Sequence, residues 1–297
     1  MNGRERGWLL LCGELGTRQR PLTLSQVKQL RHRVRSTLPP EEPERELTLE
    51  YLQKLGYGTE TAYRIHALLS REAELDACLD AARQYQIEPM TPASPDYPSA
   101  LRKRLGWNMP PVLFLRGDRS LLQKRAVSLT GSRQLSEPNR AFAEKVGRLA
   151  AREGYVLISG NAPGADTVAQ EACLEAGGSV ISVLPDSLAD HAPASGQLLL
   201  CEDGWQLSFS SERALRRNRL IYALAGLRLV AQTSAGCGGT WRGATEALRQ
   251  KLSVFVCDDG SEGAQALAGQ GAELLPAEKL QELSTLRPGR PTLFSEI

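Results

Sequence analysis

The chain has 297 residues, 41% of them hydrophobic, and sets 36 Lys and Arg against 34 Asp and Glu for a formal net charge of +2. That balance excludes a disordered or fibrous chain, and its overall field is too weak to hold a polyanion, so an anion site must be a local cluster. No apolar run approaches the roughly 20 residues that span a bilayer, and the opening WLLLCGELG has no small-residue cleavage pattern; the expectation is a cytoplasmic protein.

Residues 1–86 carry helical periodicity. Thr23, Thr48 and Thr59 each stand where a hydroxyl can accept a first-turn N–H, which predicts helices over LSQVKQLRHRV, LEYLQKL and ETAYRIHALLS. The last two, around a Gly-containing turn, have the form of a helix-hairpin-helix or SAM-like unit, a module that serves either for packing or for touching nucleic acid. Proline and turn residues then dominate IEPMTPASPDYPSALRKRLGWNMPPV, which sets a domain junction at 86/87.

Beyond the junction, VLFLR (112–116), AVSLT (126–130), YVLIS (155–159), SVISVL (179–184), LRLVAQ (227–232) and SVFVC (253–257) are short, nearly continuous apolar runs. Helical stretches separate several of them, which predicts a parallel sheet covered on both faces. The expected architecture is therefore α/β: a doubly wound, mostly parallel, Rossmann-like domain over 87–286 behind an all-helical domain over 1–86. RPGRPTLFSEI (287–297) reads as a flexible tail.

Chemistry concentrates in the second domain. The six cysteines form no CxxC and read as buried, reduced thiols, and three histidines at no metal spacing predict neither a metal site nor a His-dependent triad. Instead, three strand ends open into small-residue turns followed by helices, where free N–H groups and the helix dipole attract phosphate. The first offers Gly131 for the turn, Ser132 as a donor and Arg133 as a forked guanidinium. In the second, Ser159 and Gly160 end the strand as ligand-facing backbone, Gly164 starts the next helix, and Asp166 is expected to cap it. The third, Gly236, Gly238, Gly239 and Thr240, is open enough for a phosphate or a sugar. Its spacing is not that of a P-loop, and no GxGxxG with a distant acid supports a dinucleotide site. Arg213, Arg216, Arg217 and Arg219, four arginines in seven residues, form the strongest positive cluster, beside Asn218 and just before the strand at 227–232.

Taken in order, LTGSRQLSEPNR, ISGNAPGADTVAQEACLEAGGSVISVLPDSL, RRNRLIYALAGLRLVAQ and SAGCGGTWRGATEAL resemble the successive motifs of the DprA (Smf) DNA-processing family, over residues 87 to 275. The resemblance implies a Rossmann-like domain that binds single-stranded DNA, dimerises and helps load RecA recombinase, chiefly in natural transformation; the residues themselves, with no paired acid and base, nucleophile or metal set near these turns, predict no catalysis and no cofactor. The resemblance assigns phosphate contacts to Arg133, Arg217, Asn218 and Arg219, and a backbone cradle to the glycine loops at 160–164 and 236–239. Two departures stand out: Gln170 occupies the position of the family's histidine, and residues 185–200 lack a basic residue the family often has there. The alternative is a nucleotide sensor or a phosphoribohydrolase-like enzyme of the same superfamily using Glu246, although Glu246 lies six residues after Thr240 where that chemistry has its glutamate three after.

Overall fold

The computed structural model describes residues 1–17, 19–37, 46–202 and 204–287, so the tail expected over 287–297 lies outside the described residues except for Arg287. The chain divides into two compact units: Met1–Tyr97, Gly106–Phe114 and Glu202–Trp205 form the first, and Pro98–Leu105, Leu115–Cys201 and Gln206–Ile297 the second.

The first unit holds helices α1 (Gly3–Cys12), α2 (Leu24–Thr37), α3 (Leu49–Lys54), α4 (Thr59–Leu69) and α5 (Glu72–Gln84), then a short strand β1 (Ile87–Met90). Leu9, Leu30, Leu52, Ile65, Leu68 and Leu75 fill its core. Thr23 and Thr48 accept N–H bonds from Gln26 and Tyr51 as expected of caps. Thr59 instead is the first helical residue, because Gly58 already adopts the extended cap conformation. Buried Arg71 donates to Leu10 O (2.7 and 3.0 Å) and Gly13 O (2.7 Å), satisfying carbonyls at the end of α1 that no backbone N–H reaches.

The second unit contains α6 (Ser99–Leu105), most of β2 (Leu113–Gly117), β3 (Ala126–Thr130), α7 (Glu137–Arg152), β4 (Val156–Ser159), α8 (Ala165–Glu175), β5 (Ser179–Val183), β6 (Gln197–Glu202), α9 (Ser211–Leu224), β7 (Leu227–Val230), α10 (Gly238–Arg249), β8 (Phe255–Cys257), α11 (Glu262–Gly269) and β9 (Glu273–Leu275). Strands β6-β5-β4-β3-β7-β8-β9 lie side by side in that order, all parallel. The chain walks outward from β3 to β6, returns to pair β7 with β3, and walks out the other way. Strand order therefore reverses between β3 and β7, which in an open α/β sheet is where the loops diverge and leave a crevice at the strand C-termini.

Crossovers running in opposite senses from β3 put α7 and α8 on one face, where Phe142, Val146, Val168 and Cys173 pack on Val127, Leu129 and Leu157. On the other face Tyr222, Ala244, Ala247 and Leu267 cover Val230 and Val256. Coverage on both sides explains why β3, buried along its whole length, reads as a nearly continuous apolar run.

The α9 C-terminus is pinned by two arginines. Arg104 donates to Ala223 O and Ala225 O (2.6 Å each), and Arg228 donates to Tyr222 O (2.7 Å) and Ala225 O (2.6 Å). Burial pushes Arg228 down to about 10, so it stays charged at neutral pH and holds the negative end of the helix. Strands β1, β6 and β9 are absent from the expectation: IEPM opens the proline-rich stretch read as a junction, QLLLCE follows a proline- and glycine-containing loop, and three residues of β9 carry no periodicity. Of the cysteines expected to be buried, Cys78 is half-buried and Cys237 exposed.

Candidate nucleic-acid interface

At the switch point β3, β4 and β7 deliver their three loops to one side, around a crevice of about 500 Å³. The first loop depends on close approach. A Cβ on Gly131 would come within 2.5 Å of Ala165 Cβ, so only glycine lets the chain leave β3 at that angle. Ser132 N–H donates to Gln232 O (3.0 Å) and its carbonyl accepts from Ala165 N–H (3.1 Å), which fastens this loop to β7's exit and to the start of α8. The Ser132 hydroxyl accepts from Gln134 N–H (3.1 Å), and Arg133 stands exposed with no hydrogen-bond or ionic partner among the described residues.

In the second loop Gly164 has φ +94°, and a side chain there would run into the Ser132 and Arg133 carbonyls. Asp166, expected as a helix cap, has another task. Gly164 is the cap residue of α8, while the buried Asp166 carboxylate turns back to accept N–H bonds from Gly160 (2.9 Å) and Ala162 (3.4 Å). Burial raises its pKa to about 6 against the pull of Arg217, the two N–H donors and Arg133.

Ser159 and Gly160 do not face the crevice; both are buried. Ser159 Oγ accepts from Gln170 Nε2 (2.6 Å), Gln170 Oε1 accepts from Ser182 Oγ (3.1 Å), and Ser182 Oγ accepts from Gln197 Nε2 (2.8 Å). Gln170 is thus one member of an internal chain tying β4, β5 and β6 together, not a wall of the site.

The third loop runs into α10, whose N-terminus no side chain caps. Thr240 Oγ1 donates to Gly131 O (2.9 Å), tying this loop to the first, and Asn218 Nδ2 donates to Gly239 O (3.1 Å), tying it to α9. Beside it Thr233 is only 7% exposed, lines the crevice, and its Oγ1 has no hydrogen-bond partner. A buried hydroxyl left unsatisfied next to an uncapped helix N-terminus is an anomaly that a bound polar ligand would relieve.

Of the expected residues, Gly131, Ser132, Arg133, Arg217, Asn218, Gly238, Gly239 and Thr240 line this one crevice. Arg219 and Gly236 border an adjoining groove between α9 and α10, which shares Leu215, Asn218 and Arg242 with the crevice. Ser159, Gly160 and Gly164 sit behind it. Arg217 is 6% exposed and donates Nη1 to Val183 O (2.6 Å) and Nε to Ala214 O (3.3 Å), so its charge enters the site from the wall. Burial pulls its pKa down, while Asp166 and Asp186 oppose that shift. The loop without a basic residue therefore contributes an acidic one, Asp186, beside Arg217.

Three residues escaped the sequence, and a fourth, Asp166, was singled out there for a different role, the helix cap. Thr233 gave no signal, since its role depends on which groups the fold leaves open. Arg242 is exposed and lines both depressions without an ionic partner among the described residues; its place two residues after the GGT turn was the available sign. Phe209, 54% exposed at the rim, lies alone in a polar loop.

Known proteins resemble this arrangement. The family model of DNA recombination-mediator protein A matches residues 88–285. The DNA processing protein DprA of Bacillus subtilis is 29% identical over 219 residues, covering 68% of this chain and 72% of that protein. Protein Smf of Escherichia coli is 31% identical over 258 residues, covering 78% and 66%. Among solved structures, DprA from Streptococcus pneumoniae superposes with a TM-score of 0.69 at 25% identity over 87% of this chain and 92% of that one. DprA from Helicobacter pylori, solved in a study of its single-stranded DNA binding, gives 0.55 at 26% identity over 64% and 90%. With its glycine turns, GSR loop and arginine-bearing α9 converging at the switch point, and a family model matching two-thirds of its length, the chain belongs to the DNA recombination-mediator protein A family.

Proposed function

We propose that this chain binds single-stranded DNA in the switch-point crevice and acts as a recombination mediator without catalysing a reaction. The observation that carries the reading is the meeting of the uncapped α10 N-terminus and the unsatisfied Thr233 hydroxyl with the guanidinium groups of Arg133, Arg217 and Arg242 in one crevice. Backbone donors and arginines recognise phosphate, and phosphate carries no base information. The ligand is therefore a strand gripped by its backbone, with Phe209 at the rim available to a base. Family kinship and the single-stranded DNA binding reported for the Helicobacter pylori protein support the same ligand.

Gel shifts with oligo-dT and with a mixed-sequence oligonucleotide test this. Both should bind with similar affinity, and absence of binding to either rejects the reading. We further propose that the chain works as a homodimer and hands its strand to RecA. Size measurement of the free protein, and RecA filament formation on coated single strands with and without it, check the two points separately.

The enzyme alternative needs Glu246 at the ligand. Glu246 borders the α9–α10 groove instead, where it accepts from Gln250 Nε2 (3.0 Å) and pairs with Arg249 (3.7 Å). No observation favours that reading.

A further inference from the structure

The first unit carries a second cationic surface. Helix α2 has no acidic residue, and its exposed side chains include Lys28, Arg31, His32 and Arg35. Their spacing of i, i+3, i+4 and i+7 stacks them along one face over two turns. Lys28, Arg31 and Arg35 take no ionic or hydrogen-bond partner among the described residues. Arg33, by contrast, is spent internally: Nη1 donates to Leu55 O (2.9 Å) and the guanidinium lies 4.3 Å from the centre of the Tyr57 ring.

The same unit places an aromatic ring at the start of this stripe. Trp107 is 58% exposed, and Lys28 Nζ stands 3.7 Å from its centroid. Gly106 before it holds φ +51°, a conformation that lets the chain turn and present the indole. An indole this exposed is costly in water and is kept here against a cation. Cations in a row with an aromatic platform at one end are the components of a single-stranded nucleic-acid contact: charges track the backbone while the ring stacks on a base. None of these residues lines the crevice.

We infer that the α2 stripe of Lys28, Arg31 and Arg35, together with Trp107, is a second single-stranded nucleic-acid contact, carried by the helical unit. It takes the same ligand class as the crevice, and so rests on that reading for the identity of the strand but not for its own residues. A duplex would satisfy the charges alone, since its bases are closed to stacking.

The experiment uses the full chain with labelled dT45, comparing wild type with K28Q/R31Q/R35Q, W107F and R133A. All the altered side chains in the first unit are exposed, so thermal melting should be unchanged. The triple variant should bind about tenfold or more weakly at 50 mM salt and lose about 2 from the slope of log affinity against log salt, three contacts at about 0.7 each. Quenching of tryptophan emission by dT45 should be smaller in W107F than in wild type, and a blunt duplex should not produce the quench that W107F lacks. A triple variant with wild-type slope together with W107F showing wild-type quenching overturns the inference. If that occurs while R133A is weakened, only the second contact falls. If R133A binds like wild type while the triple variant loses slope, the crevice reading falls and the α2 contact stands. A wild-type protein that does not bind dT45 removes both.

Discussion

Arg133 and Arg217 hold the same charge in opposite surroundings. Arg133 is exposed and unpaired, so it can follow a phosphate; Arg217 is buried with two carbonyl bonds and lends its field from behind. Replacing Arg133 by Ala should weaken binding roughly tenfold, the worth of one charged hydrogen bond, and equally for all base sequences. Unequal losses among oligonucleotides in parallel titrations would mean that Arg133 reads bases. Asp166 adds a pH dependence whose sign is fixed by its raised pKa of about 6. Between about pH 4 and 6 the folded chain keeps a proton that the unfolded chain has released, so stability falls as pH rises through that window, by an amount on the order of 3 kcal/mol. The Asp166→Asn variant should lose that slope in denaturation series. Protonation also removes an anion from beside Arg217 and Arg133, so affinity for a strand should climb as pH falls below 6. Arginine clustering was legible in SERALRRNRL, but its division into a buried Arg217 and outward neighbours was not, because helix periodicity fixes a face only once the packing partner is known.

At the scale of elements, the three loops behave as one piece. Thr240 Oγ1 bonds to Gly131 O, Ala165 N–H to Ser132 O and Ser132 N–H to Gln232 O, so each loop is held by a neighbour rather than by its own turn. Gly164→Ala should be among the most damaging small substitutions, since it forces a side chain to φ +94° against two carbonyls. A loss of about 2 kcal/mol or more in chemical denaturation is expected, from strain and from the displaced first loop together. Thr240→Val, nearly isosteric, should lower stability by only about 1 kcal/mol yet reduce strand affinity by loosening the α10 N-terminus; melting and titration run together separate the two effects. Strands β3, β4 and β7 and their glycine turns were readable because a strand buried on both faces is mostly apolar, Ser128 and Arg228 aside, and ends abruptly in small residues. Asp166 and Gln170 were not, because one binds N–H groups of a preceding loop and the other bridges three strands, relations that exist only after the sheet has assembled.

For the whole molecule, a net charge of +2 means that affinity for a polyanion must come from local sites. Family motifs placed the crevice from sequence because glycines and arginines are conspicuous in runs. The first unit's stripe was hidden within an ordinary amphipathic helix, and Trp107 lay in a proline-rich stretch read as a junction. Among the described residues no helix is long and apolar enough to cross a membrane.

Whether arginines and backbone donors at the switch point grip a strand by its phosphates is read from the salt dependence of oligo-dT binding by the wild-type protein. With about four phosphates neutralised by the crevice alone, affinity should fall roughly fifty-fold between 50 and 200 mM salt, and more steeply where the α2 stripe engages the strand as well. Binding that does not change across that range would rule out a grip on phosphates.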